Sequence, residues 1–173
     1  ITIVAVLVTR FIQFRGWYQK AYRYRHLDSF CPTIIMLEFY KGSHELDARR
    51  QKAKELYVAL AEKGKEPRIV LTVGKLHGEQ EPFSDQSKKW FLSHGIPTTG
   101  VPTYGTPGAA DTFQEVRLAC QYAQERGRDK CVYVVANLLQ ATQAFMICIR
   151  EGVFPHVKLT PMLETSGMWA AGK

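Results

Sequence analysis

The stretch Val132-Tyr-Val-Val-Ala-Asn137-Leu-Leu-Gln140-Ala-Thr-Gln-Ala144 predicts a buried β-strand that runs directly into an α-helix. Asn137 and Gln140 have the spacing of a capping box at the start of that helix. In an open α/β sheet, ligands bind at such a turn, because backbone N–H groups and the helix dipole point there. This turn carries no histidine, arginine, lysine, carboxylate or glycine. The chain therefore combines the scaffold of an enzyme with a turn that lacks charged catalytic groups.

Strands and helices alternate along the chain on the N-terminal side of this stretch, and one more strand follows it. The predicted strands cover 33–39, 67–73, 98–103, 131–136 and 157–160, and the predicted helices cover 44–63, 84–94, 111–126 and 137–151. Candidate N-caps are Ser43, Ser84 and Asp111 (with Thr106 as the alternative to Asp111), and candidate helix ends are Gly64, Gly95 and Gly152. This order predicts a three-layer αβα sandwich with a mostly parallel, five-stranded Rossmann-like sheet.

The helix predicted over 44–63 has one apolar face and many cations. Its apolar face consists of Leu46, Ala53, Leu56 and Leu60 at helical spacing. Its cations are Arg49, Arg50, Lys52 and Lys54, which we expect to be mostly solvated.

Length and charge predict one domain with a basic N-terminal segment. We expect a docking or membrane-proximal segment over 1–31, the α/β domain over 32–163 and a tail over 164–173 of the 173 residues. The net charge is +7, and residues 1–30 contribute +4 of it. A nucleic-acid-binding domain is expected to carry its basic face on the folded part. An RNA-binding role is therefore less favoured than docking through the N-terminal segment.

Residues 1–14 are mostly apolar and are followed by interleaved aromatic and basic residues. Fourteen helical residues reach only about 21 Å, which is short of the roughly 30 Å bilayer core, so this run is at most the end of a span. Aromatic and basic residues together are typical of a membrane–water interface. The candidate docking residues are Arg10, Arg15, Trp17, Tyr18, Lys20, Tyr22, Arg23, Tyr24 and Arg25. The alternatives are a buried strand followed by a basic surface helix, and docking onto a protein or RNA.

The cysteines and histidines do not predict a metal site. Cys31, Cys120, Cys131 and Cys148 show no CxxC spacing and no paired histidines, so we expect reduced thiols, with Cys131 and Cys148 in the core. His44 and His77 follow the first two strands, and with Glu38, Glu79 and Asp85 they offer a displaced metal or acid–base site. We favour the simpler interpretation that these are surface residues, because no two of them have ligand spacing.

The order of these segments resembles the YdcF/SanA/ElyC-like family of Rossmann-like domains, which is known from bacterial envelope biology. The resemblance covers about residues 33–161. It rests on the helix and strand from Glu45 to Gly74, the segment from Ser84 to the Gly95-Ile-Pro97 turn, the Asp111-Thr-Phe-Gln-Glu115 segment, and Val135 to Ala144. The family implies a small-molecule site that would use Glu38, Gly42, Gly74, Ser84, Asp85, Asp111, Thr112, Asn137 and Gln140 here.

This sequence departs from the family pattern where the family has its chemistry. The glycine-rich turn after the first strand is Glu38-Phe-Tyr-Lys41, with only Gly42 left. Gln114 replaces a glutamate, while Gln140 and Gln143 replace a histidine and an arginine. Glutamine hydrogen-bonds but neither titrates nor carries charge, so an acid–base catalyst or an anion clamp is lost at these positions.

These departures favour a protein without catalytic residues, cofactor or metal. We expect an accessory subunit of a larger membrane-associated assembly, of the respiratory or ATP synthase type, on the matrix side of the mitochondrial inner membrane. Its partners would be other protein subunits and the membrane surface. The first alternative is an enzyme or sensor that binds a nucleotide or S-adenosylmethionine. The second is a protein component of an organellar RNA–protein particle.

Overall fold

A computed structural model describes residues 2–25, 31–37, 44–72, 83–104, 111–127 and 129–161. The helices are α1 (Thr2–Tyr22), α2 (His44–Glu62), α3 (Phe83–Ser93), α4 (Thr112–Tyr122) and α5 (Leu138–Arg150). The strands are β1 (Thr33–Met36), β2 (Arg68–Thr72), β3 (Thr103–Tyr104), β4 (Cys131–Ala136) and β5 (Phe154–Leu159). A 3₁₀ turn (Thr98–Gly100) precedes β3, and a π-helical turn (Ala123–Gly127) follows α4.

The five strands form one parallel sheet in the order β3-β2-β1-β4-β5. The predicted three-layer Rossmann-like fold is therefore confirmed. The register between the two central strands places Ile34 opposite Tyr133 and Met36 opposite Val135. The chain winds outward in one direction from β1 and in the other from β4. The topological switch point, where ligands bind in such sheets, thus lies between the carboxyl ends of β1 and β4.

Both faces of the sheet are covered by helices. Every residue of β4 is buried, as its continuous apolar sequence predicts. Val132 and Val134 belong to a core that includes residues of α4 and α5. Tyr133 and Val135 face the other way, into a core that includes residues of α2 and α3. Alternation along one strand therefore supplies both halves of the hydrophobic core.

Most predicted boundaries agree with the structure within a few residues. Gly64, Gly95 and Gly152 all have positive φ and end helices, as predicted. Asp111 caps α4, since its side chain accepts a hydrogen bond of 2.8 Å from the Gln114 backbone N–H. The alternative cap Thr106 and the predicted cap Ser43 lie outside the described residues.

Two local predictions are wrong. Ser84 is not the N-cap of α3, because the helix already begins at Phe83. The extended segment predicted over 98–103 is a 3₁₀ turn followed by the two-residue β3. Gly100 N–H donates to the Pro97 carbonyl at 2.8 Å, which closes that turn. A tight turn therefore replaces most of the expected strand.

The expectation of reduced thiols is wrong for two of the four cysteines. Cys31 and Cys131 form a disulfide with a Cα–Cα distance of 5.3 Å, which joins the residue before Pro32 to the first residue of β4. Cys120 and Cys148 are free and fully buried, with their Sγ atoms 3.4 Å apart. Burial of Cys131 and Cys148 in the core is confirmed.

The C-terminal half of α1 packs on the domain through its aromatic residues. The Tyr18 ring lies 6.5 Å from that of Phe145 in α5, and the Tyr22 ring lies 6.2 Å from that of Phe154 in β5. The Arg150 guanidinium lies 6.0 Å from the centre of the Trp17 ring. Three of the predicted docking residues therefore contact the domain itself.

The N-terminal half of α1 leaves its apolar side chains in solvent. Ile3, Leu7 and Phe11 are 76%, 63% and 67% exposed, respectively. Among the described helices, none combines the length and the apolar character that crossing a bilayer requires. Ile3, Leu7 and Phe11 are four residues apart and so form one apolar stripe along α1, whose C-terminal half packs on the domain.

A buried carboxyl at the amino end of the sheet makes stability depend on pH. Asp129 accepts a hydrogen bond from the Thr33 hydroxyl. Burial raises the pKa of Asp129 above its ordinary value of 3.8, and the Thr33 bond and the nearby charge of Arg68 only partly offset this. The folded state thus holds this proton more tightly than the unfolded state does. The resulting stabilisation is complete below the unfolded pKa and is lost as pH rises through the folded pKa.

We predict that Asp129→Asn removes this pH-dependent component. The amide still offers Thr33 an acceptor but has no proton to lose. Urea unfolding of both proteins at a series of pH values should show the variant gaining stability relative to the wild type as pH rises above the ordinary aspartate range. Equal pH dependence in the two proteins would contradict this assignment.

Candidate functional site

The switch point holds a buried ionic network, which we call the switch-point network, formed by Glu45, Arg49 and Asn137. Glu45 and Arg49 lie one turn apart in α2 and form an ion pair. Asn137, which follows β4, donates from Nδ2 to Glu45 Oε1 at 2.6 Å. Arg49 Nη1 donates to the carbonyl of Leu37, which follows β1, at 2.8 Å. The network therefore joins α2 to the ends of both central strands.

The members of the network are almost completely removed from solvent. Arg49, Glu45 and Asn137 are 0%, 2% and 6% exposed, respectively. Burial lowers the pKa of Arg49, and the hydrogen bond and charge of Glu45, with the charge of Glu115, act in the opposite direction. A buried arginine stays ionised when its carboxylate partner is this close.

Asn137 uses both ends of its amide. Its Oδ1 accepts from the Gln140 backbone N–H at 2.9 Å, which caps α5 as the capping-box spacing predicts. Its Nδ2 is bonded to Glu45. Both the oxygen and the nitrogen of the Asn137 amide are therefore used in hydrogen bonds within the fold.

The structure brings together only some of the predicted site residues. Asn137 and Gln140 are joined by the cap, and Asp111 and Thr112 line a cavity described below. Among the described residues, no hydrogen bond links Ser84 or Asp85 to any of these. Glu38, Gly42 and Gly74 lie outside the described part of the chain, as do His77 and Glu79.

The solvation predicted for Arg49 and Arg50 is wrong. Arg49 belongs to the switch-point network, and Arg50 is 8% exposed. Arg50 donates from Nε and Nη2 to Ser87 Oγ at 3.2 and 3.1 Å, which ties α2 to α3. Lys52 and Lys54 are half-buried, and Lys52 pairs with Glu55 at 3.3 Å.

The sequence did contain a signal for the missed residues. Arg49 follows Leu46 by three positions and precedes Ala53 by four, so it lies on the apolar face of α2. Glu45 precedes it by four positions, which is the spacing of a helical ion pair. A cation on an apolar face with an acid one turn before it predicts a buried pair.

A cavity lies between the start of α4 and the middle of α5. It has a volume of about 480 Å³ and is lined by Asp111, Thr112, Phe113, Gln143 and Ile147. Two further predicted site residues hold buried polar atoms, Ser84 Oγ and Gln140 Oε1, with no hydrogen-bond partner among the described residues.

Comparison of the chain with protein-family models, with curated proteins and with solved structures finds no match. The sheet topology and the switch-point network define the protein as a Rossmann-like α/β domain whose switch point contains a buried ion pair.

We predict that breaking the ion pair destabilises the domain, whereas removing it whole does not. Arg49→Met should cost about 3 kcal/mol in urea unfolding, because the Glu45 carboxylate stays buried without its cation. The double variant Glu45→Gln, Arg49→Met should recover most of that loss, since glutamine can still accept from Asn137.

Lys52→Met on the same helix is the matched control. Its side chain is 43% exposed, so we expect a change within about 0.5 kcal/mol. Equal losses for Arg49→Met and Lys52→Met would show that the buried pair contributes nothing special.

Proposed function

We propose that this protein is a non-catalytic accessory subunit of a membrane-associated protein assembly, built on a degenerate domain of the YdcF/SanA-like type. The single observation that carries the proposal is the switch-point network. Glu45 already accepts from Arg49 and Asn137, and Arg49 also donates to the backbone of Leu37. Among the residues that the structure describes at the switch point, Glu45 and Arg49 are thus bonded to one another.

Arg49 and Asn137 both donate to Glu45 Oε1, and Arg49 also donates to a backbone carbonyl. A general base must reach the substrate proton and an anion clamp must point its donors at the ligand, whereas these groups are tied to one another in the buried core. The neighbouring Gln140 and Gln143 cannot titrate. The network supports a structural role for a position where related folds bind their ligands.

The exposed half of α1 supports docking to a membrane or to apolar protein surface. Contiguous exposed apolar side chains on this scale mark interaction sites. Arg10 and Arg15 are exposed on the same helix and would contact anionic headgroups, each contributing about 1 kcal/mol. Docking through α1 would leave the domain on the membrane surface, available to other subunits.

The Cys31–Cys131 disulfide is relevant to which side of a membrane the domain occupies. Disulfides persist on the oxidising side of cellular membranes and are rare where thiols are kept reduced. The Cys31–Cys131 bond therefore supports a domain on the oxidising side, whereas the basic N-terminal segment by itself favours the matrix side. We propose the oxidising side, because the bond lies within the folded core.

We predict that the chain binds vesicles of anionic phospholipid through α1. Phe11→Ser should weaken co-flotation by about tenfold or more, since burying a phenylalanine side chain contributes roughly 1.5–3 kcal/mol. Gln13→Ser changes a neighbouring exposed residue to the same side chain and should bind as the wild type does. An unbound wild-type chain, or equal binding by both variants, would contradict membrane docking.

A second candidate function is small-molecule binding in the cavity between α4 and α5. The observation that favours it is the polar lining by Asp111, Thr112 and Gln143 next to an apolar wall. A nucleotide or S-adenosylmethionine offers both polar and apolar surfaces to such a cavity.

We predict that neither ligand class raises the melting temperature of the wild-type chain. The measurement is a thermal-shift screen with nucleotides and S-adenosylmethionine. A rise of several degrees that disappears in Gln143→Ala would support the second candidate instead. Gln143 makes no cap, so this variant avoids the loss of helix stability that Asp111→Ala would bring.

A further inference from the structure

We propose that Cys31, Cys131 and His156 form a metal site that binds Zn²⁺ when the two thiols are reduced, and that closes as the disulfide when they are oxidised. The ligand atoms of these three side chains all lie within 4.8 Å of one another. The site lies at the amino end of the central strands and is separate from the switch-point network at their carboxyl ends.

The sheet register creates this cluster. Cys131 is opposite Phe154 and Tyr133 is opposite His156, so Cys131 and His156 are diagonal neighbours on one face of the sheet. Cys31, two residues before β1, completes the set beside the first residue of β4. The three ligands come from three distant segments, which is why no ligand spacing is visible in the sequence.

The donor set suits zinc. Two thiolates and one imidazole are a known zinc-binding combination that leaves the fourth tetrahedral position open. Bonds of about 2.3 Å to sulfur and about 2.0 Å to nitrogen place tetrahedral ligand atoms roughly 3.3–3.8 Å apart. Reduction breaks the sulfur–sulfur bond and allows the two sulfur atoms to move apart. Small rotations of the three side chains then bring their ligand atoms to this spacing.

The surroundings of the three side chains favour metal binding. Both cysteines are 1% exposed, and the Nε2 atom of His156 is buried although the residue as a whole is partly exposed. The Phe154 and Tyr133 rings lie 5.1 and 5.7 Å from the His156 ring and restrict its orientation. Restricted ligand rings lose less entropy when a metal binds.

The zinc-bound state and the disulfide state cannot exist together, because each uses both sulfur atoms. Zinc binding requires both sulfurs as thiolates, and two thiols release two protons when the metal enters. Oxidation by a low-molecular-weight disulfide proceeds when one thiolate attacks that sulfur–sulfur bond and releases one thiol. The other cysteine then displaces the second thiol, so two electrons pass to the reagent and Zn²⁺ leaves.

The test uses the full chain, reduced with a phosphine in the presence of a chelator and then freed of both without oxygen. Titration with Co²⁺ should give one equivalent of tetrahedral d–d absorption together with a thiolate-to-metal charge-transfer band, and Zn²⁺ should displace the cobalt. A reduced chain that gives no charge-transfer band would overturn the proposal.

His156→Gln separates the metal site from the disulfide. This variant keeps both thiols, so it should still form the Cys31–Cys131 disulfide on oxidation, as thiol counting would show. Its affinity for Zn²⁺ should fall by more than the roughly 100-fold that loss of an outer-sphere partner can cost. Unchanged affinity would remove His156 from the site and overturn the proposal.

Cys148→Ala is the matched control. Cys148 and Cys120 form the other close pair of sulfurs, and both are buried. This variant should bind Zn²⁺ as tightly as the wild type, and equal losses in Cys148→Ala and His156→Gln would contradict the assignment.

Exclusivity is tested by adding oxidised glutathione to the zinc-loaded chain. Zinc release measured with a chromogenic chelator should match disulfide formation in amount. Disulfide formation with zinc retained would overturn the two-state proposal.

Discussion

The buried ion pair between Glu45 and Arg49 holds the centre of this fold in place. Through Leu37 and Asn137 it connects α2 to the ends of both central strands, at the one point where the direction of winding changes. The backbone ladder of a parallel sheet joins strands to one another, so side chains set the position of each helix relative to the strand ends. Here a charged pair sets it, and the charge makes the arrangement specific, since neither partner is tolerated alone in the core.

The same pair occupies the position where sheets of this type bind their ligands. In a ligand-binding sheet, donors and acceptors at the switch point remain partly unpaired until substrate arrives, which costs stability. Here Glu45 accepts hydrogen bonds from both Arg49 and Asn137 instead. The polar groups at this position therefore hold the elements of the fold together.

Sequence patterns predict the elements that depend on interactions between residues close together in the chain. The run from Cys131 to Ala136 and the Asn137–Gln140 spacing predicted β4, α5 and its cap, because burial and capping involve neighbours in the sequence. For Arg49 the residue type predicts solvent exposure, whereas its position on the apolar face of α2 predicts burial, and the position decides. The Cys31–Cys131 disulfide could not be predicted, since its residues are 100 positions apart and only strand register brings them together.

The aromatic residues of α1 also show that local composition does not determine which surface a residue contacts. Trp17, Tyr18 and Tyr22 have the composition of a membrane interface, yet each contacts the domain. An aromatic ring gains as much from an apolar protein surface as from a headgroup region, so composition alone does not choose between them. Because these rings bind α1 to α5 and β5, the apolar residues from Ile3 to Ile12 extend from a fixed base. A helix held in this way presents its exposed apolar side chains in one orientation, which would lower the entropic cost of the docking proposed for it.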